Sequence, residues 1–375
     1  MKYFVNGVLV NKVKHLDLSD LWYFNESDIV EAKSISGFES FYPLYRWKSF
    51  YSYSPLKLIK LKGEIKYSSK ILKYLNNGLV ENFLPPEVFI DKEIKRIGKP
   101  IELNSKIIQN EIDFIKRFSE ALIKDIKYLE FIHPDSTFII LTGGKDSLNL
   151  LLLPWKAKIV AVSQEPNYSL VVKFCLENKL NIEVLKLDGE EVDNLDIISK
   201  DVLFGCCRIG LADVRWSQSI LNIKKHLNVN QENKVVVVSG ALADSFTTPL
   251  FFKYKSKWQT SYISRLVNRV SSVRFKFFNT LWIKGAQWQG VFHGVIREST
   301  NTPNYSAYHG RNVIKVLSET DFEKSVKTDI RADIGRFIYG KDIVYPSSNP
   351  SPPSWSTRKK YSSINYFKEV LNKEL

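Results

Sequence analysis

The chemistry in this sequence is concentrated where an apolar run, Phe138–Leu141, gives way to Thr142-Gly-Gly-Lys-Asp-Ser147. Two glycines let a backbone approach a phosphate closely and take φ > 0 without strain. The free N–H groups at the start of a following helix, with its dipole, then attract an anion. Thr142 and Ser147 add hydroxyl donors. Asp146, an acid in an anion-binding loop, makes chemical sense as a ligand of Mg²⁺ held against phosphates. The pattern is not a Walker loop, since GxxxxGK[ST] is absent. A second segment, Val238-Ser-Gly-Ala-Leu-Ala-Asp-Ser245, follows the apolar run Lys234–Ser239. With both runs in one parallel sheet, Asp146 and Asp244 stand at the ends of neighbouring strands. Two carboxylates so placed can share Mg²⁺ bound to a polyphosphate, the usual way to neutralise its charge.

The elements that must position these loops are legible as well. Thr137–Leu141, Lys158–Ser163, Ile182–Leu187 and Lys234–Ser239 are short, nearly continuous apolar runs. Helical patterns lie between them at about 147–153, 168–179 and 211–227. Buried strands alternating with helices predict a parallel sheet covered on both faces, and in such sheets ligands bind at the carboxyl ends of the strands. A helix is expected at about 107–130 from the recurrence of Ile107, Ile108, Ile112, Ile115, Phe118, Leu122, Ile126 and Leu129. From about residue 260 the chain reads as mostly helical, ending in the Ser/Pro-rich SSNPSPPSWS and a last short helix. The first hundred residues alternate with frequent aromatics, as in FESFYPLYRWKSFYSYSPLKLIKL, and predict small β-structure. A short helix, a Pro-Pro break and an extended segment follow. The expected division is a small β-rich domain over 1–105 and an α/β domain over 106–375.

TGGKDS resembles the SGGxDS pyrophosphate loop of the N-type ATP pyrophosphatases, with Thr142 in the usual serine position. SGALADS resembles the SGxGADE element of asparagine synthetases and their relatives, the β-lactam synthetases and lasso-peptide cyclases. Ser239, Gly240, Ala243 and Asp244 fit, whereas Ala241 and Ser245 stand in place of acidic residues. The resemblance spans about residues 75–375. It implies a sheet of the adenine-nucleotide α-hydrolase-like (PP-loop) type with a helical C-terminal part, and ATP and Mg²⁺ as cofactors. It implies a phosphate site from Leu141, Thr142, Gly143, Gly144, Asp146 and Ser147, completed by Ser239 and Gly240. Val162 and Ser163 would meet adenine, and Arg215, better spaced than Arg208, would lie near the phosphates or acyl substrate. Asp146 and Asp244 would hold the metal. Lys341, in Tyr339-Gly-Lys-Asp-Ile-Val-Tyr-Pro346, matches the family's late lysine and would stabilise charge on the leaving group and on the oxyanion formed by amine attack.

The implied activity is an ATP-dependent, C–N bond-forming ligase. A carboxylate substrate, such as a peptide, attacks the α-phosphate to give an acyl-adenylate and pyrophosphate, and an amine or ammonia displaces AMP. Amidation or ring closure in peptide or specialised-metabolite biosynthesis suits such an enzyme. Glutamine-hydrolysing members carry a cysteine directly after the initiator Met. Here residue 2 is Lys, and about 100 residues precede the α/β domain, against about 200 in a full glutaminase domain. Residues 1–105 therefore read as a truncated glutaminase-like remnant. The nitrogen then comes from free ammonia, a partner protein or second copy of the chain, or the substrate's own amine. Ala241 argues against aspartate as the substrate. Two rivals remain: a PP-loop enzyme modifying tRNA, and a degenerate ATP-binding subunit without catalysis.

Composition bounds these readings. The 375 residues carry 54 Lys+Arg against 40 Asp+Glu, a net +14, which permits polyanionic partners. The basic residues are spread rather than clustered, so nucleic acid is not expected as a partner. Three cysteines, two of them the adjacent Cys206 and Cys207, make no disulfide framework and predict a reducing, cytoplasmic setting. No apolar run reaches the roughly 18 residues of a membrane span, no signal peptide is read at the start, and the five histidines form no zinc pattern.

Overall fold

The computed structural model describes residues 3–5, 8–10, 22–23, 44–52, 58, 61–62, 93–97, 107–187, 211–227, 234–240, 243–248 and 300–346. The segments expected to be a helix and Pro-Pro break near residues 70–86, the loop SSNPSPPSWS and the last short helix lie outside them.

The early aromatic-rich segments form six short strands: β1 (Tyr3–Val5), β2 (Val8–Val10), β3 (Trp22–Tyr23), β4 (Leu44–Trp47), β5 (Phe50–Ser52) and β6 (Lys95–Ile97). They make one antiparallel sheet in the order β2-β1-β3-β5-β4-β6. In the β4–β5 hairpin Trp47 pairs with Phe50, and Lys48 takes a left-handed φ of 53°. The Lys48 ammonium lies 4.6 Å above the Trp47 ring.

The second sheet is parallel throughout. Its strands are β7 (Ser136–Leu141), β8 (Ile159–Ser163), β9 (Glu183–Lys186), β10 (Lys234–Ser239) and β11 (Asn304–Ser306), in the order β11-β10-β7-β8-β9. The helices are α1 (Glu111–Ile132), α2 (Lys145–Leu151), α3 (Asn167–Glu177), α4 (Leu211–His226), α5 (Asp244–Thr247), α6 (Arg311–Ser318), α7 (Phe322–Ser325) and α8 (Arg331–Tyr339). The strands and helices expected between residues 107 and 239 are thus present, with ends shifted by a few residues; of the helical stretch expected from about 260, residues 260–299 lie outside the described ones. One element differs: the chain beyond 300 contributes a fifth strand, β11. Its three residues, Asn-Tyr-Ser, carry no apolar run, so nothing local marks them as buried strand.

The continuous apolar runs are explained by burial on both sides. Phe138, Ile140, Ala161, Val236 and Val238 face a core shared with Phe118 and Leu122 of α1, Phe174 of α3 and Ile314 of α6. The alternate residues Ile139, Leu141, Val160, Val162, Val235 and Val237 pack against Ile220 and Ile223 of α4. Each fully buried side chain of this kind contributes roughly 1.5–3 kcal/mol, so a polar residue on either face would be costly. α1 begins where Asn110 caps it, accepting from the Asp113 N–H at 2.8 Å, and Asp113 pairs with Arg117 one turn on. Among the described residues no helix is long and apolar enough to cross a membrane.

The strand order carries the functional consequence. From β7 the chain proceeds to β8 and β9 on one side, then returns to β10 and β11 on the other. The reversal falls between β7 and β10, and open α/β sheets receive ligands outside the carboxyl ends of their strands at such a point.

Candidate functional site

β7 and β10 run in register to their ends, Ser239 opposite Leu141, so the two motif loops leave the sheet side by side. Gly240 is what allows them to touch. A Cβ there would stand 3.0 Å from the Ser147 backbone nitrogen and 3.1 Å from its Cα, and neither atom can move without dragging the loop.

The Thr142–Ser147 loop is folded around the hydroxyl of Ser147. The Gly143 and Gly144 N–H groups both donate to Ser147 Oγ, at 2.9 and 3.1 Å, and that hydroxyl donates to Gly144 O at 2.8 Å. Two successive amides thus converge on one oxygen, as in an anion-binding nest, but that oxygen is the chain's own Ser147 hydroxyl. The expectation of positive φ is overturned. Gly144 is fully extended (φ −174°, ψ 179°), and Gly340 is the glycine in the left-handed region among the described residues. What the loop glycines supply is space rather than handedness. A Cβ on Gly143 would meet only Asn167 Nδ2, at 3.9 Å. Because α2 spans seven residues, the local N–H groups matter more than any helix field.

Thr142 and Ser163 are committed to the sheet. Thr142 Oγ1 donates to Val162 O at 2.9 Å, and Ser163 Oγ donates to Thr142 O at 2.8 Å. These bonds continue the β7–β8 ladder past its last pair and fix where the loop departs. Their hydroxyl protons are therefore turned inward, not toward the crevice as the sequence had led us to expect for Thr142. Leu141 and Val162 are buried beneath.

Asp146 is the point of convergence. Its Oδ1 lies 3.1 Å from Thr247 Oγ1, whose one proton it shares with Ala243 O at 2.8 Å, its Oδ2 lies 3.4 Å from Arg331 Nη1, and its backbone carbonyl accepts from the Tyr308 hydroxyl at 2.7 Å. Segments following β7, β10 and β11 and the start of α8 thus meet on one residue. Arg331 is anchored by Asp329, whose carboxylate takes Nε at 2.8 Å and Nη2 at 2.6 Å. Lys145 Nζ lies 4.0 Å from that carboxylate. The Asp329 hydrogen bonds, reinforced by the charge of Asp146, raise the Arg331 pKa above its ordinary value against the pull of burial. Burial works to raise the Asp329 carboxyl, but the Arg331 bonds and charge, with Lys145, overcome it and hold it below its ordinary value. Burial, and then the Asp146 charge, push the Tyr308 phenol well above its usual range. It is a fixed donor, not a base.

Behind the loop, Asn149 Nδ2 donates to Arg331 O at 2.8 Å, and the Tyr345 hydroxyl donates to Asn149 Oδ1. Gly335, mid-helix in α8, leaves room for this pair: a Cβ there would stand 1.8 Å from the Tyr345 hydroxyl.

Of the expected site residues, Leu141 to Ser147, Val162, Ser163, Ser239 and Gly240 share one edge of the sheet. The side chains of Asp244 and Arg215 lie outside the described residues; their backbones start α5 and lie within α4. Lys341 does not reach the loop. It is exposed after α8, its ammonium 5.7 Å above the Tyr339 ring, and the cation at Asp146 is Arg331 instead. Arg331, Thr247 and Tyr308 were missed because each is polar, isolated in sequence and brought in by long-range packing. The one local signal was Asp329-Ile-Arg331, an acid and a base flanking a helix start.

Magnesium takes oxygen ligands, commonly one or two carboxylates with substrate phosphates completing the shell. Among the described residues no three His, Cys, Asp or Glu side chains gather into a protein cage. The Asp146 carboxylate, beside amides that Ser147 Oγ occupies, offers the kind of oxygen ligand that such a metal takes. A scan of the chain against protein-family models matches none, and a search of curated proteins returns no relative.

Proposed function

We propose that the chain is an ATP-dependent ligase of the asparagine-synthetase-like, PP-loop type. It adenylates a carboxylate, releases pyrophosphate and passes the acyl group to an amine or ammonia. The observation that carries this reading is the meeting of the two motif loops at the β7/β10 crevice, with Asp146 between the nest and Thr247. In this reading a phosphate oxygen displaces Ser147 Oγ from the Gly143 and Gly144 amides, and Asp146, with Asp244, holds Mg²⁺. Mg²⁺ would neutralise the departing pyrophosphate. The chain's own contribution is positioning: a substrate carboxylate oxygen is held in line with the α-phosphorus, and charge is spread over fixed donors. The amine then attacks the acyl carbon, and AMP leaves with the carbonyl–phosphate oxygen. Lys341 acts in that second step only if its loop closes over the site.

The products test the reaction class. With α- and γ-labelled ATP and a carboxylate substrate, the enzyme yields AMP and pyrophosphate; ADP and phosphate would refute adenylation. Gly240→Ala tests the crevice. The added methyl pushes the β10 turn off Ser147, and ATP affinity falls about tenfold, the equivalent of about 1.4 kcal/mol. Calorimetric titration of the variant with an ATP analogue reads it directly.

A further inference from the structure

We propose that Arg331 is a positioning residue that trades partners on nucleotide binding, resting on Asp146 in the free protein and turning to the polyphosphate when Mg²⁺ takes that carboxylate. The inference rests on the adenylating reading above and names the group that governs metal entry to the same site.

The geometry of the guanidinium points to it. Two of its edges are committed to Asp329 at 2.8 and 2.6 Å, whereas Nη1 sits a long 3.4 Å from Asp146 Oδ2. The first pair is a bidentate fork, the strong form of this interaction, and the second is at the outer limit of a hydrogen bond. Arg331 is thus held in place by one acid and only leans on the other. Both Arg331 and Asp146 keep partial exposure, 20% and 16% of their side chains, so the contact is accessible from the crevice.

Oδ2 is the Asp146 oxygen that the guanidinium approaches, and there a cation and Arg331 would compete. A divalent ion held by that carboxylate would repel the guanidinium and move Nη1 away. Asp329 still tethers the guanidinium, so its freed donors stay within the crevice. Planar guanidinium donors match phosphate oxygens. Backbone anchoring keeps the swing local, since Asn149 holds Arg331 O and Ile330 N donates to Thr247 O at 3.0 Å.

The experiment measures binding rather than turnover. Calorimetry with α,β-methylene-ATP across a Mg²⁺ series yields the Mg²⁺ concentration at half-maximal binding for wild type, Arg331→Gln and Asp329→Asn. Arg331→Gln removes the competitor, so the midpoint falls roughly fivefold, while affinity at saturating Mg²⁺ weakens about tenfold through the lost charged contact. Asp329→Asn has the opposite effect on the midpoint. Untethered, Arg331 pairs fully with Asp146 and the midpoint rises about threefold. Opposed shifts are not what a merely structural residue produces, and the second variant decides the matter if the first does not fold. Unchanged or like-signed midpoints with normal wild-type binding overturn the role of Arg331 and leave the ligase reading standing. Failure of wild type to bind the analogue at any Mg²⁺ concentration overturns both.

Discussion

Asp146→Asn leaves the protein folded and lowers carboxylate-dependent ATP–pyrophosphate exchange by about 100- to 1,000-fold, the range lost when one preorganised charge-stabilising group is removed. The fold tolerates the change because the residue's structural contacts survive. Asn Oδ1 still accepts from Thr247, and the backbone carbonyl still accepts from Tyr308. The new amide faces Arg331 Nη1, donor against donor, but Arg331 keeps its bidentate pair with Asp329. A long, partly exposed ion pair is worth only about 1 kcal/mol or less, so the melting temperature stays close to wild type. What disappears is the negative charge beside the Gly143–Gly144 nest, and with it the metal ligand. Full exchange activity in the variant would remove Asp146 from the chemistry. Undiminished biological function without any exchange would favour the non-catalytic ATP-binding subunit.

How far the sequence carried depended on whether a feature was local or convergent. β7, β8, β9 and β10 were legible because parallel strands buried on both faces must be continuously apolar, as Val235–Val238 are. The β character of the early segments followed from aromatic alternation, but their antiparallel pairing and the order β2-β1-β3-β5-β4-β6 did not, since pairing partners leave no mark on a strand two or three residues long. The loops of the candidate site were legible as motifs, and so was their adjacency once both runs were assigned to one sheet. The cation was not. Arg331 meets Asp146 from 185 positions away, and no periodicity distinguishes it from the other basic residues of a lysine-rich chain. Lys341 fitted the spacing, yet a position after the left-handed Gly340 cap sends it to the surface. Spacing measures distance along the chain, whereas the site is set by where α8 docks.

That docking geometry has a second weak point, at the start of α6, where Gly310→Ala is expected to cost about 3 kcal/mol. Gly310 has φ −66° and ψ 155°, which alanine adopts freely, so backbone strain is not the obstacle. The obstacle is Asp125 on α1, itself 1% exposed. A Cβ on Gly310 would fall 2.0 Å from Asp125 Oδ2, 2.2 Å from Cγ and 2.5 Å from Cβ. Atoms that near the backbone on the buried face of α1 cannot step aside. The carboxylate also caps α6, accepting from the Asn312 and Val313 N–H groups and from Asn312 Nδ2 at 2.7–3.2 Å. Overpacking costs about 1–3 kcal/mol and a lost cap about 1, and the denaturant midpoint measures the sum. Adding Asp125→Gly removes the atoms the methyl meets, so the double variant is more stable than the two single losses predict. The same carboxyl makes stability depend on pH. Burial raises its pKa from 3.8 to about 6, although the α6 donors pull it down. Between those values the folded chain keeps a proton that the unfolded chain has lost, so stability falls as pH rises through about 4 to 6, by about 3 kcal/mol at most. Asp125→Asn carries no titrating group there, and its unfolding free energy is flatter across that window; an unchanged slope would assign the pH dependence to other residues.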